Sequence, residues 1–315
     1  MPRTVGIDLG TTNSAVAFME GREPRVIPNS RGNRITPSVV ALADDILVGE
    51  SAKNQAIVNA ERTIRHVKRK IGSQEPYQVA GKSYSPVEVS AFILGRLKAD
   101  AEQFLGEPVD RGVITVPAHF GEAQRSATKE AGRIAGYDVR RIVNEPTAAA
   151  LAYAARAARR EKIIVYDLGG GTFDVTCLVK EGLDYRVLST TGDDHLGGVD
   201  FDELLRQLVL ESFDEQLDGG FGDDAILMQQ LDSLIENAKI ELSSSEVATV
   251  SMPFISRRGR PLHLSRQISR EEFDGLIEGQ VERTMELTRR ALAESGFAAG
   301  GVDRLVLAGG STRIP

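Results

Sequence analysis

The strongest constraint on the fold is one short pattern that occurs twice. GIDLGTTNSAVAF at residues 6–18 is echoed by YDLGGGTFDVTCL at 166–178. Asp8 corresponds to Asp167, Leu9 to Leu168 and Gly10 to Gly169, at a constant offset of 159 in a chain of 315 residues. In both places an apolar run ends in Asp-Leu-Gly, small residues turn the chain, and a second strand-like run follows. Each reads as a β-hairpin with a glycine turn. One such hairpin is only a turn. Two, half a chain apart with paired Asp residues, imply a duplicated architecture.

The segments between them alternate in type. Short strands are expected at Ser38–Leu42 and Ile46–Val48, and a helical stretch around Ala52–Ile71. Ser85 and Pro86 occupy the cap and first positions of a helix running to Leu105. A strand at Gly112–Val116, a helix at Ala123–Ala135, a strand at Val139–Val143 and an Ala-rich helix to about Arg160 follow. Strands alternating with helices indicate an α/β fold. After the second hairpin, helices are expected at Phe201–Asp214 and Ile226–Leu242, separated by a Gly/Asp-rich loop at Asp218–Asp224. Val247–Ile255 and Leu262–Ile268 read as a hairpin. Ser269 and Glu272 have capping-box spacing. They open a long helix whose apolar face is Phe273, Leu276, Ile277, Val281 and Leu292, ending at Gly296. Arg304–Leu307 reads as a last strand.

A glycine turn offers several backbone N–H groups in one concavity with no Cβ to block an anion. Two facing turns can hold a polyphosphate from both sides, with Thr11, Thr12 and Thr172 adding hydroxyls. Asp8 and Asp167 beside phosphates make electrostatic sense only with a hydrated Mg²⁺ between them. No Walker loop and no dinucleotide fingerprint followed by a helix occurs. The four histidines (66, 119, 195 and 263) have no metal-ligand spacing, and there is no GxSxG elbow. A net charge of −7 argues against a nucleic-acid surface, and one cysteine, Cys177, excludes an intrachain disulfide. No apolar run is long enough for a membrane span. A monomeric cytoplasmic protein with no membrane or nucleic-acid partner is expected.

GIDLGTTNS (6–14), NEPTAAALAY (144–153), DLGGGTFDV (167–175), KIELSSS (239–245) and LAGGSTRIP (307–315) resemble the ATPase domain of the seventy-kilodalton heat-shock chaperones, of the bacterial DnaK type. The resemblance runs from residue 5 to 315. It implies an actin-like, ribonuclease H-like α/β fold of two lobes around a nucleotide cleft. The first lobe would span 1–160 (core 1–35 and 86–160, insert 36–85). The second would span 161–315 (core 161–196 and 280–315, insert 197–279). It implies a slow, Mg²⁺-dependent ATPase switch that binds ATP and ADP, with K⁺, and works with J-domain proteins and nucleotide-exchange factors.

By motif, the resemblance puts Gly10, Thr11, Thr12 and Asn13 in the first phosphate hairpin and Gly169, Gly170, Gly171 and Thr172 in the second. Asp8 and Asp167 would hold Mg²⁺, and Asp174 a monovalent cation. Lys68, Glu145, Asp167 and Thr172 would serve hydrolysis, with Glu145 positioning water and Lys68 meeting charge on the γ-phosphate. Gly197 and Gly198 would close over the phosphates. Glu236, Lys239, Ser243, Gly309, Gly310, Ser311 and Arg313 would hold adenosine. Pro117 and Arg125 match a family switch. Read without the family, Lys68 is a solvated helix face and Glu236/Lys239 an exposed ion pair.

Two residues depart from the pattern: His119 replaces a Tyr, and Val199 replaces an acid. The inserts are also shorter, so exchange factors are expected to bind differently. The family continues beyond GGSTRIP, so the chain reads as C-terminally truncated and without a peptide-binding domain. An actin-like filament protein and a sugar or acetate kinase are the alternatives on this fold. TTNS, GTFD and NEPTAAALAY disfavour the first, and the lack of an acceptor-side catalytic Asp disfavours the second.

Overall fold

The computed structural model describes residues 3–21, 23–154, 160–182, 184–214, 224–257, 260–298 and 300–315. Its first half runs β1 (Thr4–Asp8), β2 (Asn13–Glu20), β3 (Glu23–Val26), β4 (Thr36–Pro37), β5 (Val39–Leu42), β6 (Ile46–Val48), α1 (Glu50–Gln55), β7 (Thr63–Arg65), β8 (Tyr77–Val79), β9 (Lys82–Tyr84) and α2 (Pro86–Leu105). It continues through β10 (Arg111–Val116), α3 (Glu122–Ile134), β11 (Asp138–Asn144) and α4 (Glu145–Ala154). The second half runs β12 (Glu161–Leu168), β13 (Phe173–Glu181), β14 (Asp184–Asp193), α5 (Gly198–Asp214), α6 (Ala225–Leu242), β15 (Val247–Arg257), β16 (Arg260–Ser269), α7 (Arg270–Ser295) and β17 (Arg304–Ala308).

The duplication expected from the Asp-Leu-Gly echo is present in the strand pairing. One sheet has the order β11-β10-β1-β2-β3, with β4 also on β2, and the other the order β17-β12-β13-β14. In each, the strand ending in Asp-Leu lies between an antiparallel neighbour and a parallel one. Val5 faces Phe18 in the first hairpin, and Ile164 faces Cys177 in the second. Moving both members of the first pair by 159 residues gives the second, so the two hairpins share one register. A slip of one residue would turn each strand's apolar set outward.

The buried apolar side chains form two large clusters, one drawn from residues 5–137 and the other from 164–297. Strand β13 is buried from Phe173 to Lys180 because both of its faces are covered. Phe173, Val175, Cys177 and Val179 point into the cluster under α5, α6 and α7. Leu178 points the other way, joining Ala150 of α4 with Ile163, Val165 and Val306. Helix α4 therefore continues the first half yet packs on the second sheet. Asp174, one residue from Phe173, lies on this α4-facing side by the period-two alternation of strands.

Helix α2 begins with the expected capping box, Ser85 Oγ accepting from Glu88 N at 3.2 Å and Glu88 Oε2 from Ser85 N at 2.8 Å. The reading of a helix over Ala52–Ile71 is corrected. Only Glu50–Gln55 is α-helical, and Thr63–Arg65 is a strand on β5. Gln55 Nε2 donates to Ala52 O and Thr63 Oγ1 to Asn59 O, so side chains take carbonyls that a continuing helix needs. β-Branched Thr63 and Ile64 then suit the strand. The capping box at Ser269 is half formed: Ser269 Oγ accepts from Glu272 N at 3.0 Å, but the Glu272 carboxylate is paired with Arg266. Val281 is 40% exposed and is not on the buried face of α7. The expected loop at 218–223, the hairpin tip at 258–259 and the end of the Ala-rich helix at 155–159 lie outside the described residues.

Leu97 is 1% exposed within the first cluster. Leu97→Ala is expected to lower stability by about 2–5 kcal/mol. Urea unfolding followed by circular dichroism measures this, and a loss below about 1 kcal/mol would contradict the packing described.

Candidate functional site

The turns of the two hairpins meet. A Cβ on Gly170 would stand 2.1 Å from Thr12 Oγ1, and one on Gly171 would stand 2.4 Å from Thr11 Cγ2. Any side chain at either position would force the halves apart. Beside this contact opens a cleft of about 1350 Å³, walled by both halves.

The first turn is tied down from behind. Gly10 N donates to Ser14 Oγ, and Ser38 Oγ donates to Gly10 O at 2.8 Å. Ser14 and Ser38 Oγ lie 2.9 Å apart, and Ser38 N donates to Thr12 O. The second turn is held by three hydrogen bonds from two elements. Ser311 Oγ donates to Gly169 O at 2.8 Å, and Gly198 N and Val199 N at the start of α5 donate to Gly169 O and Gly170 O. Thr12 Oγ1 is buried without a hydrogen-bond partner, a donor left for a ligand.

Asp8 and Asp167 come from the ends of β1 and β12. Between them, Lys68 Nζ is 2.7 Å from Glu145 Oε1, and the lysine side chain is 5% exposed. Lys68 belongs to a 3₁₀ turn at Val67–Lys70, not a solvated helix face. Burial pulls its pKa down, but Glu145, Asp8 and Asp167 outweigh burial and hold the ammonium charged. Burial pushes Glu145 upward, with Asp8 and Asp167 adding to the shift and Lys68 opposing it. Asp167 is raised to about 6 by burial and by the charges of Asp174 and Asp8. Asp167 and Asp174 are directly opposite on β12 and β13. Like charges opposed in this way destabilise a sheet unless a cation answers them. This crowded set of acidic oxygens beside an orphaned hydroxyl fits a hydrated divalent cation, the kind of ion that retains waters and takes one or two carboxylates.

At the other end of the cleft, Lys239 Nζ pairs with Asp202 at 2.7 Å and donates to Gly198 O at 2.8 Å. Glu236 accepts from Lys53 of α1 at 2.7 Å, across the cleft. Burial raises the Glu236 pKa, but Lys53 and the neighbouring cations bring it below the usual value. The two residues are therefore not an exposed ion pair with each other.

Of the residues named from sequence, Asp8, Gly10, Thr11, Thr12, Asn13, Lys68, Glu145, Asp167, Gly169, Gly170 and Thr172 line the cleft. So do Gly198, Glu236, Lys239, Ser243, Gly309, Gly310, Ser311 and Arg313. Gly171, Gly197 and Asp174 are not in its lining, although Gly171 touches the first turn. Sequence reasoning missed Ser38, Lys53, Arg65, His66, Asp202 and Asp232, which also line it. Ser38 follows Pro37, and Asp202 closes the HLGGVDFD run; their sequence positions alone assign neither to the cleft. Arg69 adds a further cross-link, donating to Gly171 O at 2.9 Å and pairing with Asp200. Among the described residues no helix is long and apolar enough to cross a membrane.

A protein-family model described as "Hsp70 protein" matches residues 4–315. Members of that family are ATPases that bind ATP and ADP with Mg²⁺ and work with J-domain and exchange-factor co-chaperones. Their actin-like ATPase fold agrees with the duplicated sheets described above.

His66 carries the left-handed backbone at φ 55 between β7 and the Lys68 turn. Burial, with the cations Arg65 and Arg69, lowers its pKa from 6.5 to about 4. A depressed histidine is neutral in the folded chain and protonated in the unfolded chain below pH 6.5. The associated stability is present above pH 6.5 and is lost as pH falls towards 4. Between pH 7 and 5 this amounts to about 2 kcal/mol. His66→Asn, which tolerates the same backbone, is expected to show a shallower fall in Tm over that range. An equal fall in both proteins would contradict the assignment.

Proposed function

From membership of the Hsp70 family, to which this chain belongs, we propose that the cleft is the ATP site of a DnaK-like chaperone ATPase. The buried Lys68–Glu145 pair at 2.7 Å, set between Asp8 and Asp167 beside two facing glycine turns, carries the reading. The turns supply backbone N–H groups and the hydroxyls of Thr11, Thr12 and Thr172 to the phosphates of ATP. Asn13, with Gly10 and Gly169 to Gly171, completes the two turns.

Glu145 accepts a hydrogen bond from the attacking water and orients it. Lys68, kept charged by its acidic neighbours, donates to the oxygen on which charge develops. Phosphoryl transfer is served mainly by positioning and charge stabilisation, so no strong base is required. Asp8 and Asp167 hold Mg²⁺, which when bound neutralises phosphate charge. Glu236 and Lys239 on α6, with Ser243 at its C-terminal cap, face the ribose. Gly309, Gly310, Ser311 and Arg313 face the base, where a planar guanidinium can stack.

The halves 1–160 and 161–315 act as lobes, each with its insert. Their relative position reports nucleotide state to a J-domain protein or an exchange factor in the cytoplasm. Pro117 and Arg125 lie on that route: from the first turns of α3, Arg125 ties down the turn after Pro117, donating to the carbonyls of Phe120 and Ala118 at 2.8 and 3.0 Å.

Lys68→Ala is expected to cut ATP turnover by about 100-fold or more while ATP affinity changes little. Unchanged turnover would remove Lys68 from the mechanism. Asp8→Asn and Asp167→Asn are expected to weaken ATP binding at least about tenfold in Mg²⁺, by calorimetry. Equal affinities for variants and parent would overturn the metal assignment.

A further inference from the structure

The carbonyls of the second glycine turn are answered from two sides. Gly169 O accepts from Ser311 Oγ and Gly198 N, and Gly170 O from Val199 N, all within the second half. Gly171 O accepts from Arg69 of the first half, from Nη2 at 2.9 Å and Nε at 3.2 Å. The other edge of the same guanidinium is aimed by Asp200 in the first turn of α5. Nη1 donates to Asp200 Oδ1 at 3.1 Å, and Nη2 also meets Oδ2. One planar fork thus ties a carboxylate to a carbonyl, a geometry that an ammonium does not reproduce.

Gly171 O and Thr172 N belong to one peptide group. In a trans peptide the C=O and N–H point to opposite sides, so holding the carbonyl aims the N–H. Gly171 is absent from the cleft lining, whereas Thr172 belongs to it. The held carbonyl lies behind the turn, and the N–H opposite it is turned towards the cleft. Successive glycines leave such a group free to rotate, because Gly accepts both signs of φ. A charge-assisted hydrogen bond on the carbonyl stops that rotation and polarises the N–H as a donor. Arg69 follows Lys68 in the 3₁₀ turn Val67–Lys70. A single turn of the first half therefore carries both the ammonium beside Glu145 and the guanidinium on Gly171. Parting the halves withdraws both, while Gly169 O and Gly170 O keep their partners.

We propose that Arg69, aimed by Asp200, is a positioning residue for phosphoryl transfer. It orients the Gly171–Thr172 peptide so that Thr172 N–H meets the charge developing on the γ-phosphate, and it does so only while the halves are closed. The proposal rests on the ATPase reading of the cleft. Donors fixed within each half bind ATP in either placement, and the donor held by Arg69 is added for the transition state.

Steady-state ATP turnover and calorimetric ATP affinity, both in Mg²⁺, test this on the full chain, Arg69→Met, Asp200→Asn and the double variant. Arg69→Met keeps an unbranched stem and loses the fork. It is expected to lower kcat and kcat/KM together by about tenfold or more, with the Kd for ATP changed by less than about twofold. Asp200→Asn frees the guanidinium and is expected to lower kcat by about threefold or more. Adding it to Arg69→Met is expected to cost little further, since both act through one hydrogen bond. A merely structural cross-link would weaken ATP binding or lower Tm and leave kcat of the folded protein unchanged. Unchanged kcat in either single variant, or full additivity in the double variant, overturns the proposal. Where Arg69→Met does not fold, Asp200→Asn decides. Absence of turnover in the unaltered chain would fail the ATPase reading and the positioning role with it. Turnover that Lys68→Ala abolishes and Arg69→Met leaves intact would fail the positioning role alone.

Discussion

The contact between the two glycine turns is what the rest of the site depends on. With no Cβ at Gly170 or Gly171, the second turn sits against Thr11 and Thr12 of the first. That approach sets the spacing of the two sheets, because each turn caps a hairpin of fixed register. From it follows the placing of Asp8 and Asp167 at one cleft floor, with Lys68 and Glu145 between them. Serines on neighbouring elements hold each turn from behind, Ser38 the first and Ser311 the second. Backbone donors are thereby fixed before any anion arrives, and such preorganisation is the main source of electrostatic catalysis.

Charge does the complementary work of joining the halves. Lys53 reaches Glu236, Arg69 reaches Asp200, and His119 reaches Asp174 and Asp194. Each cation comes from the first half and each anion from the second. Half-buried pairs of this kind add little net stability, because desolvation offsets attraction. Removing one member is costly where the other is left partly desolvated and alone. The pairs therefore specify one relative placement of the halves and leave the two hydrophobic clusters to supply stability.

Much of this was legible in the sequence, and the reasons are physical. The echo of Asp-Leu-Gly at a spacing of 159 announced two hairpins, and the pairing of Val5 with Phe18 and of Ile164 with Cys177 bears it out. Capping chemistry at Ser85 fixed the start of α2. The stretch 52–71 misled because its apolar spacing suits a helix, while Gln55 and Thr63 side chains divert the backbone into a strand. Strand β14 went unread between the glycines at 182 and 192, in a segment with little alternation of burial. The cleft side of Lys53, Arg65 and Asp202 is set by tertiary packing, which no local pattern encodes. His119 was visible as a departure, but its two carboxylate partners lie 55 and 75 residues away in sequence, and only folding brings them to its ring.

The account's central claim is that one Mg·ATP site is assembled from both halves at the meeting of the two glycine turns. Calorimetric titration of the 315-residue chain with ATP, first in Mg²⁺ and then in excess EDTA, tests it most directly. The account predicts a single site per chain in Mg²⁺ and a clear loss of affinity in EDTA. Absence of binding in both conditions, or a second equivalent site, would contradict it.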